Sequence, residues 1–147
     1  MASVRGCYFP DDLYYNLEHN VWLRREPDGQ VTIGMTAYAC ALSGEIVSYL
    51  PKGVGKLIDR DKSVATVESG KWVGPVKTPL AGEITAINEA ALTHPGLVNQ
   101  APYDAGWVAT LRPSHWEAES DSLIRGAEVV AAFEAKMAAD GFGGCGE

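Results

Sequence analysis

The chain has 147 residues, with 12 Lys and Arg against 19 Asp and Glu, a net charge of −7. That length suits one domain with a real core, and 46% hydrophobic with 21% charged residues is ordinary globular usage, which excludes disordered, collagenous and disulfide-packed classes. An acidic chain is a poor nucleic-acid ligand, because phosphate binding needs clustered Lys and Arg. The first ten residues hold no apolar run of signal-peptide length, and no apolar stretch is long enough to span a membrane. Cys7, Cys40 and Cys145 show no metal spacing. A cytoplasmic protein with free thiols is expected, with no nucleic-acid partner and no membrane insertion.

In chain order, Asp11–Leu17 reads as one or two helical turns in an aromatic-rich, irregular start. Trp22–Glu26 and Gln30–Ile33 flank Pro27-Asp28-Gly29, a hairpin turn in which Pro presets φ and Gly accepts a positive φ. Met35–Leu42 is a short helix, and Glu45–Leu50 and Ser63–Ser69 are strands. Gly70-Lys71-Trp72 is a turn leading into Val73–Val76, followed by strands at Gly82–Asn88 and Trp107–Leu111. Leu123, Ala127, Val130, Phe133 and Met137 fall at helical spacing, predicting a C-terminal helix over about 122–139. Ser120, Asp121 and Ser122 offer its N-cap oxygens, Gly141 its end, and the Gly-rich tail 141–147 is expected to be flexible.

A weak internal repeat organises the strands. Gly44-Glu-Ile-Val answers Gly82-Glu-Ile-Thr, and Val64-Ala-Thr answers Val108-Ala-Thr. Two such strand–loop–strand units suggest a mainly β, pseudo-twofold sandwich in which each half buries the other's apolar face. Lys71 falls on the turn joining the halves, where its amine projects from a rigid sheet. A turn lysine is ordinarily a solvated charge. On such a mount it also suits recognition by a modifying enzyme, or a tethered cofactor that visits several active sites.

The residues that sharpen this reading run from about 18 to 112. They include Glu18-His19, Asp28-Gly29, Val31-Thr32, Gly34, Thr36, Tyr38-Ala39, Gly44-Glu45, Leu50-Pro51 and Thr66-Val67-Glu68-Ser69 with Lys71. They continue through Pro79, Gly82-Glu83, Asn88-Glu89-Ala90, Pro95, Leu97-Val98-Asn99, Pro102-Tyr103 and Gly106-Trp107. In that order they resemble the H proteins of the glycine cleavage system and their lipoyl-carrying relatives. The resemblance implies one H-protein-like domain over 1–147. Its fold would be a barrel-sandwich hybrid of two pseudo-twofold-related antiparallel sheets, with short helices and a C-terminal helix. It implies a carrier rather than an enzyme, with lipoic acid covalently attached to Lys71. Glu68 and Gly82 stand at the family's positions for recognition during lipoylation, and the implied partners include a lipoate ligase or lipoyl transferase.

After Lys71 the chain reads Trp72-Val-Gly-Pro-Val-Lys77. Glycine-cleavage H proteins there carry small residues, then Ser-Asp and a Tyr that lie near the loaded arm. The altered segment resembles the lipoate-binding proteins of heterodisulfide-reductase-like sulfur oxidation. That branch implies sulfur-derived cargo passed between enzymes of a sulfane-sulfur oxidation route; the alternative is the aminomethyl cargo of glycine cleavage and its enzymes. Trp72 is a candidate neighbour of the arm, or it packs on its own hairpin. Cys40 reads as a small apolar helix residue and Cys7 and Cys145 as surface thiols, or the three form a thiol relay. His19, His94 and His115 lack ligand spacing, so no metal site is expected. A thiol enzyme independent of Lys71 lacks any nucleophile–base pair in the sequence, and an unmodified scaffold would leave Lys71 bare.

Overall fold

A computed structural model describes residues 2–146. Its centre is two antiparallel sheets. The larger is assembled from β3 (Tyr14–Asn16), β4 (Val21–Arg25), β5 (Val31–Met35), β7 (Leu57–Ile58), β10 (Gly82–Ile87) and β11 (Ala109–Pro113), in the order β3-β4-β5-β11-β10-β7. The smaller has β6 (Ile46–Pro51), β8 (Ser63–Ser69) and β9 (Val73–Lys77), with β8 in the middle. Alternation along β8 sends Ala65, Val67 and Ser69 inward and leaves Glu68 exposed, as a one-faced sheet requires, while Val64 is also buried where the register with β9 shifts. The buried Val31, Ile33, Ile46, Val64, Val67, Ile84 and Leu111 join both sheets in one apolar cluster.

The repeat has a structural meaning. Leu50 of β6 pairs with Thr66 of β8, and Ile84 of β10 pairs with Leu111 of β11. Each repeated motif pair is therefore one antiparallel strand pair, and the two pairs sit in different sheets. The Pro27-Asp28-Gly29 hairpin forms as expected: Gly29 has φ +86°, Asp28 Oδ1 accepts from the Gln30 amide at 3.1 Å, and the Glu26 amide donates to the Gln30 carbonyl at 2.8 Å.

Short helices fill the connections. Helix α1 (Ala37–Ser43) is capped by Thr36, whose Oγ1 accepts from the Ala39 amide at 3.1 Å and donates to Asn20 Oδ1 at 2.5 Å. Helices α2 (Glu89–Thr93), α3 (Leu97–Gln100) and α4 (Trp116–Glu119) follow, and Ser120–Ser122 is a 3₁₀ turn. No helix among the described residues is long and apolar enough to cross a membrane.

The chain ends differ from expectation. Asp11–Leu17 is not helical: Tyr14–Asn16 is a strand paired with β4, and Tyr15 exchanges amide–carbonyl bonds with Ile124 at 2.8 Å each. The C-terminal helix α5 spans Glu128–Ala139, not 122–139. Gly126 takes φ +62°, which stops a helix beginning earlier, and Ser122 Oγ donates to the Glu119 carbonyl instead of capping α5. The buried face of α5 is Val129, Phe133 and Met137, while Val130 points outward.

The tail is tied down rather than loose. The Gly141 amide donates to Ala138 O and the Phe142 amide to Met137 O, with Gly141 at φ +68°; this is a Schellman cap. Phe142 packs on Tyr38 with ring centres 4.7 Å apart. The Cys145 amide donates to the Arg5 carbonyl at 2.9 Å, and Cys145 is disulfide-bonded to Cys7. The free-thiol expectation therefore fails for Cys7 and Cys145, and the flexible-tail expectation fails through residue 146; Glu147 lies outside the described residues. Strands β1 (Ala2–Val4) and β2 (Cys7–Phe9) form the hairpin that receives the tail. Together with α5, Tyr15, Trp22 and Tyr38, they build a second apolar cluster beside the main one.

Candidate functional site

The site is the β8–β9 hairpin tip. Glu68 pairs with Val73 in register, and the Ser69 amide donates to the Trp72 carbonyl at 2.7 Å, so Gly70 and Lys71 form the loop. Lys71 is exposed, and no carboxylate among the described residues pairs with its amine. Its backbone is nonetheless fixed. The Lys71 amide donates to Ser69 Oγ at 3.3 Å, and that hydroxyl donates to the Ser43 carbonyl at 2.6 Å. The hairpin tip is thereby tied to the end of α1. A firm base under a free amine is the arrangement a swinging attachment needs.

Gly44 explains itself here. Its φ of +81° ends α1, and a Cβ placed there would lie 3.1 Å from Lys71 Cε. Glycine keeps the lysine's path clear. Asn99 of α3 braces the same corner, accepting from the Ile46 amide at 2.8 Å and donating to the Gly44 carbonyl at 2.9 Å. Sequence reasoning did not assign roles to Ser43, Gly44, Ser69 and Asn99. The Gly44-Glu45, Ser69 and Asn99 motif residues carried the available signal.

Beside Lys71 lies a half-open cavity of about 280 Å³. Met35, Ala39, Leu42, Trp72, Pro75 and Val76 supply apolar walls, and His19, Asn20 and Ser43 the polar ones. Its walls contain no carboxylate. Trp72 is 38% exposed and lies flat over Gly74, where a Cβ would meet its ring at 2.1 Å. Trp72 thus packs on its own hairpin and also forms one wall of the cavity. An exposed lysine with no ion-pair partner among the described residues, on a braced tip beside an apolar recess, fits a covalently attached lipoyl group.

Glu68 is exposed on β8, while Gly82 is buried in the other sheet, paired with Ile58 and Pro113. A Cβ at Gly82 would come within 2.5 Å of the Arg112 carbonyl oxygen, so close strand approach alone demands glycine there. The candidate thiol relay of Cys7, Cys40 and Cys145 is not assembled. Cys40 is buried in α1, donates to the Val98 carbonyl at 3.3 Å, and burial pushes its thiol up to about 12. The other two are bonded to each other.

His94 and His115 are exposed. His19 faces Asp61, with Nε2 2.8 Å from Oδ1, and Glu18 joins them so that the three ligand atoms lie within 4.8 Å of one another. Asp61 and Glu18 are exposed, and the direct His19–Asp61 contact already satisfies that imidazole nitrogen.

Comparison with known proteins follows the same lines. Residues 13–136 match the family described as Glycine cleavage H-protein. "Glycine cleavage system H protein 5" of Aquifex aeolicus is 50% identical over 127 residues, covering 84% of this chain and 86% of the relative. "Probable glycine cleavage system H protein 2" of Sulfurisphaera tokodaii is 38% identical over 132 residues, covering 88% of each. The crystal structure of a glycine cleavage system H protein from Mycobacterium marinum superposes with a TM-score of 0.74 at 28% identity, covering 86% of this chain and 99% of that one. The chain belongs to the glycine cleavage H-protein family, whose members are lipoyl carriers, not catalysts themselves, and hold lipoic acid covalently on a lysine.

Proposed function

We propose that Lys71 is the lipoyl attachment residue and that the protein moves cargo between enzymes as the H protein of a glycine cleavage system. The observation that carries the attachment is the braced Lys71 at the β8–β9 tip, whose amine has no ion-pair partner among the described residues. The names of the relatives support the aminomethyl cargo. The lipoyl group, when attached, would supply a ring disulfide that opens to accept the aminomethyl carbon, leaving a dithiol once that cargo is passed on. The chain's own part is placement. Ser43 and Ser69 fix the tip, Gly44 clears the arm's path, and the recess at Trp72 shields whatever the arm carries. Glu68, exposed three residues before Lys71, would face the lipoate ligase or lipoyl transferase, with Gly82 holding the strand that the same enzyme reads. A cytoplasmic setting goes with these partners.

One observation favours a second cargo. An aminomethyl group carries a basic amine, which a carboxylate would hold, and the recess presents Trp72, Pro75 and Val76 without any carboxylate. That lining suits uncharged, sulfur-derived cargo exchanged with heterodisulfide-reductase-like sulfur-oxidation enzymes. The two readings separate by mass. The lipoylated protein is offered glycine and a glycine decarboxylase with its arm oxidised to the ring disulfide, and separately, with its arm reduced, a sulfane-sulfur donor with a sulfur-oxidising partner. Gain of an aminomethyl group on the Lys71 peptide supports the first reading; gain of sulfur alone, dependent on the partner enzyme, overturns it in favour of the second.

A further inference from the structure

The Cys7–Cys145 disulfide stands at the opposite end of α1 from Lys71. Cys145 Sγ lies 3.8 Å from the carbonyl of Ala37, the first residue of that helix. Gly44, its C-cap, lies under the Lys71 side chain, with Cε 3.1 Å from a Cβ placed there. Seven helical residues rise only about 10 Å. Ala37, Ala41 and Gly44 are half-exposed and recur along one side of the helix. A lysine lengthened by a lipoyl chain spans that distance.

The bond is also asymmetric in access. Cys7 is fully buried, whereas Cys145 is half-buried on the tail. The tail does not depend on it alone. Arg5 forms charge-assisted bonds to Glu134 at 2.6 and 3.1 Å and donates to the Phe142 carbonyl at 2.6 Å, and the α5 cap adds two more backbone bonds. The chain ends therefore hold their places when the bond opens. In a reducing compartment, a protein disulfide that is retained is ordinarily one that turns over.

We propose that Cys7–Cys145 is an intramolecular redox partner of the arm on Lys71, taking two electrons from a reduced arm that has no cargo. The inference rests on Lys71 being the lipoyl site. Cys145 Sγ takes the attack of one arm thiolate, its bond to Cys7 breaks, and Cys7 leaves as the thiolate. Cys145 is then displaced by the arm's second thiol, which closes the ring disulfide. Two electrons and two protons pass from the dithiol to the cysteine pair, and no outside oxidant is needed. The arm is reduced beforehand by a dihydrolipoyl dehydrogenase with NADH.

The test uses the full chain, lipoylated by a lipoate ligase, with intact mass checked before any reductant is added. NADH and dihydrolipoyl dehydrogenase then reduce the arm under anaerobic conditions, and samples are quenched with iodoacetamide and peptide-mapped. A Lys71→Arg chain receives free dihydrolipoamide at an equal concentration of about 10 µM. Tethering gives an effective concentration near the millimolar range, so alkylation at Cys7 and Cys145 should appear roughly a hundredfold faster in the lipoylated chain. Its rate should not change on tenfold dilution. An alkylated arm beside an intact Cys7–Cys145 bond overturns the proposal, as does a rate that falls in proportion to dilution. A missing lipoyl mass at the first check overturns the attachment reading itself, and is distinguished because it is seen before reduction.

Discussion

Three residues each have one environment that decides their behaviour. Cys40 is enclosed by α1 and α3, and burial holds its thiol near 12, far above its ordinary value. The reactive thiolate is therefore absent across the physiological range. Iodoacetamide should leave Cys40 unmodified in the native protein at every pH up to about 9, and label it fully after denaturation; native labelling that climbs between pH 7 and 9 would contradict its placement. Gly82 is set by the Arg112 carbonyl at 2.5 Å. Gly82→Ala should cost roughly 2 kcal/mol, read by urea unfolding, because backbone rather than a movable side chain stands in the way. Lys71 is the opposite case. It is solvated and makes no side-chain hydrogen bond or ion pair among the described residues, so Lys71→Ala should shift stability by less than about 0.5 kcal/mol. Lys71 was legible in the sequence because a hairpin tip between two repeat units could be read from strand spacing. The Ser43–Ser69 brace was not, since its two hydroxyl-bearing residues are 26 apart in the chain and meet only through the fold.

At the scale of elements, the strands were read well and the ends were not. Strands β4, β5, β6, β8, β9, β10 and β11 follow from alternation and from Pro and Gly at their boundaries, which are local signals, whereas the two-residue β7 carries no such pattern. Helix α5 was placed six residues too early, because Ser120, Asp121 and Ser122 look like caps from the sequence alone. In the fold those residues form a turn whose Ser122 carbonyl accepts from Asn16 Nδ2 at 3.3 Å, and Gly126 then breaks the path. The same displacement assigned Val130 to the core in place of Val129. Helix α5 owes its place to packing. Phe133 is fully buried, with ring centres 4.5 Å from Phe9 and 6.0 Å from Tyr15. Phe133→Ala should cost about 3–5 kcal/mol in denaturant unfolding; a loss under 1 kcal/mol would show that α5 is not docked on the N-terminal hairpin.

Across the whole molecule, the two sheets present the hairpin tip, and the chain ends clamp around one flank. Proximity of Cys7 and Cys145, 138 residues apart, is a tertiary fact that spacing does not encode. Closing so long a loop contributes roughly 4–5 kcal/mol in the chain-entropy account. Reduction should therefore lower Tm by about 10 °C or more while leaving the far-ultraviolet circular dichroism at room temperature unchanged. An unchanged Tm after confirmed reduction would contradict the clamp. The family resemblance, resting on ordered motifs from Glu18 to Trp107, is matched by the family alignment over 13–136 and by the superposition on an H protein. The cargo was the least legible part, since only Trp72 to Lys77 bears on it and those residues shape a recess without naming its contents.

The central claim is that Lys71 is the point of attachment. Protein isolated from its native host, digested and mapped by mass spectrometry, tests it most directly. The account predicts a lipoyl mass on the peptide containing Lys71, and its loss in Lys71→Arg with the circular dichroism spectrum intact. A native protein whose Lys71 is bare, or whose lipoyl mass sits on another lysine, would contradict it.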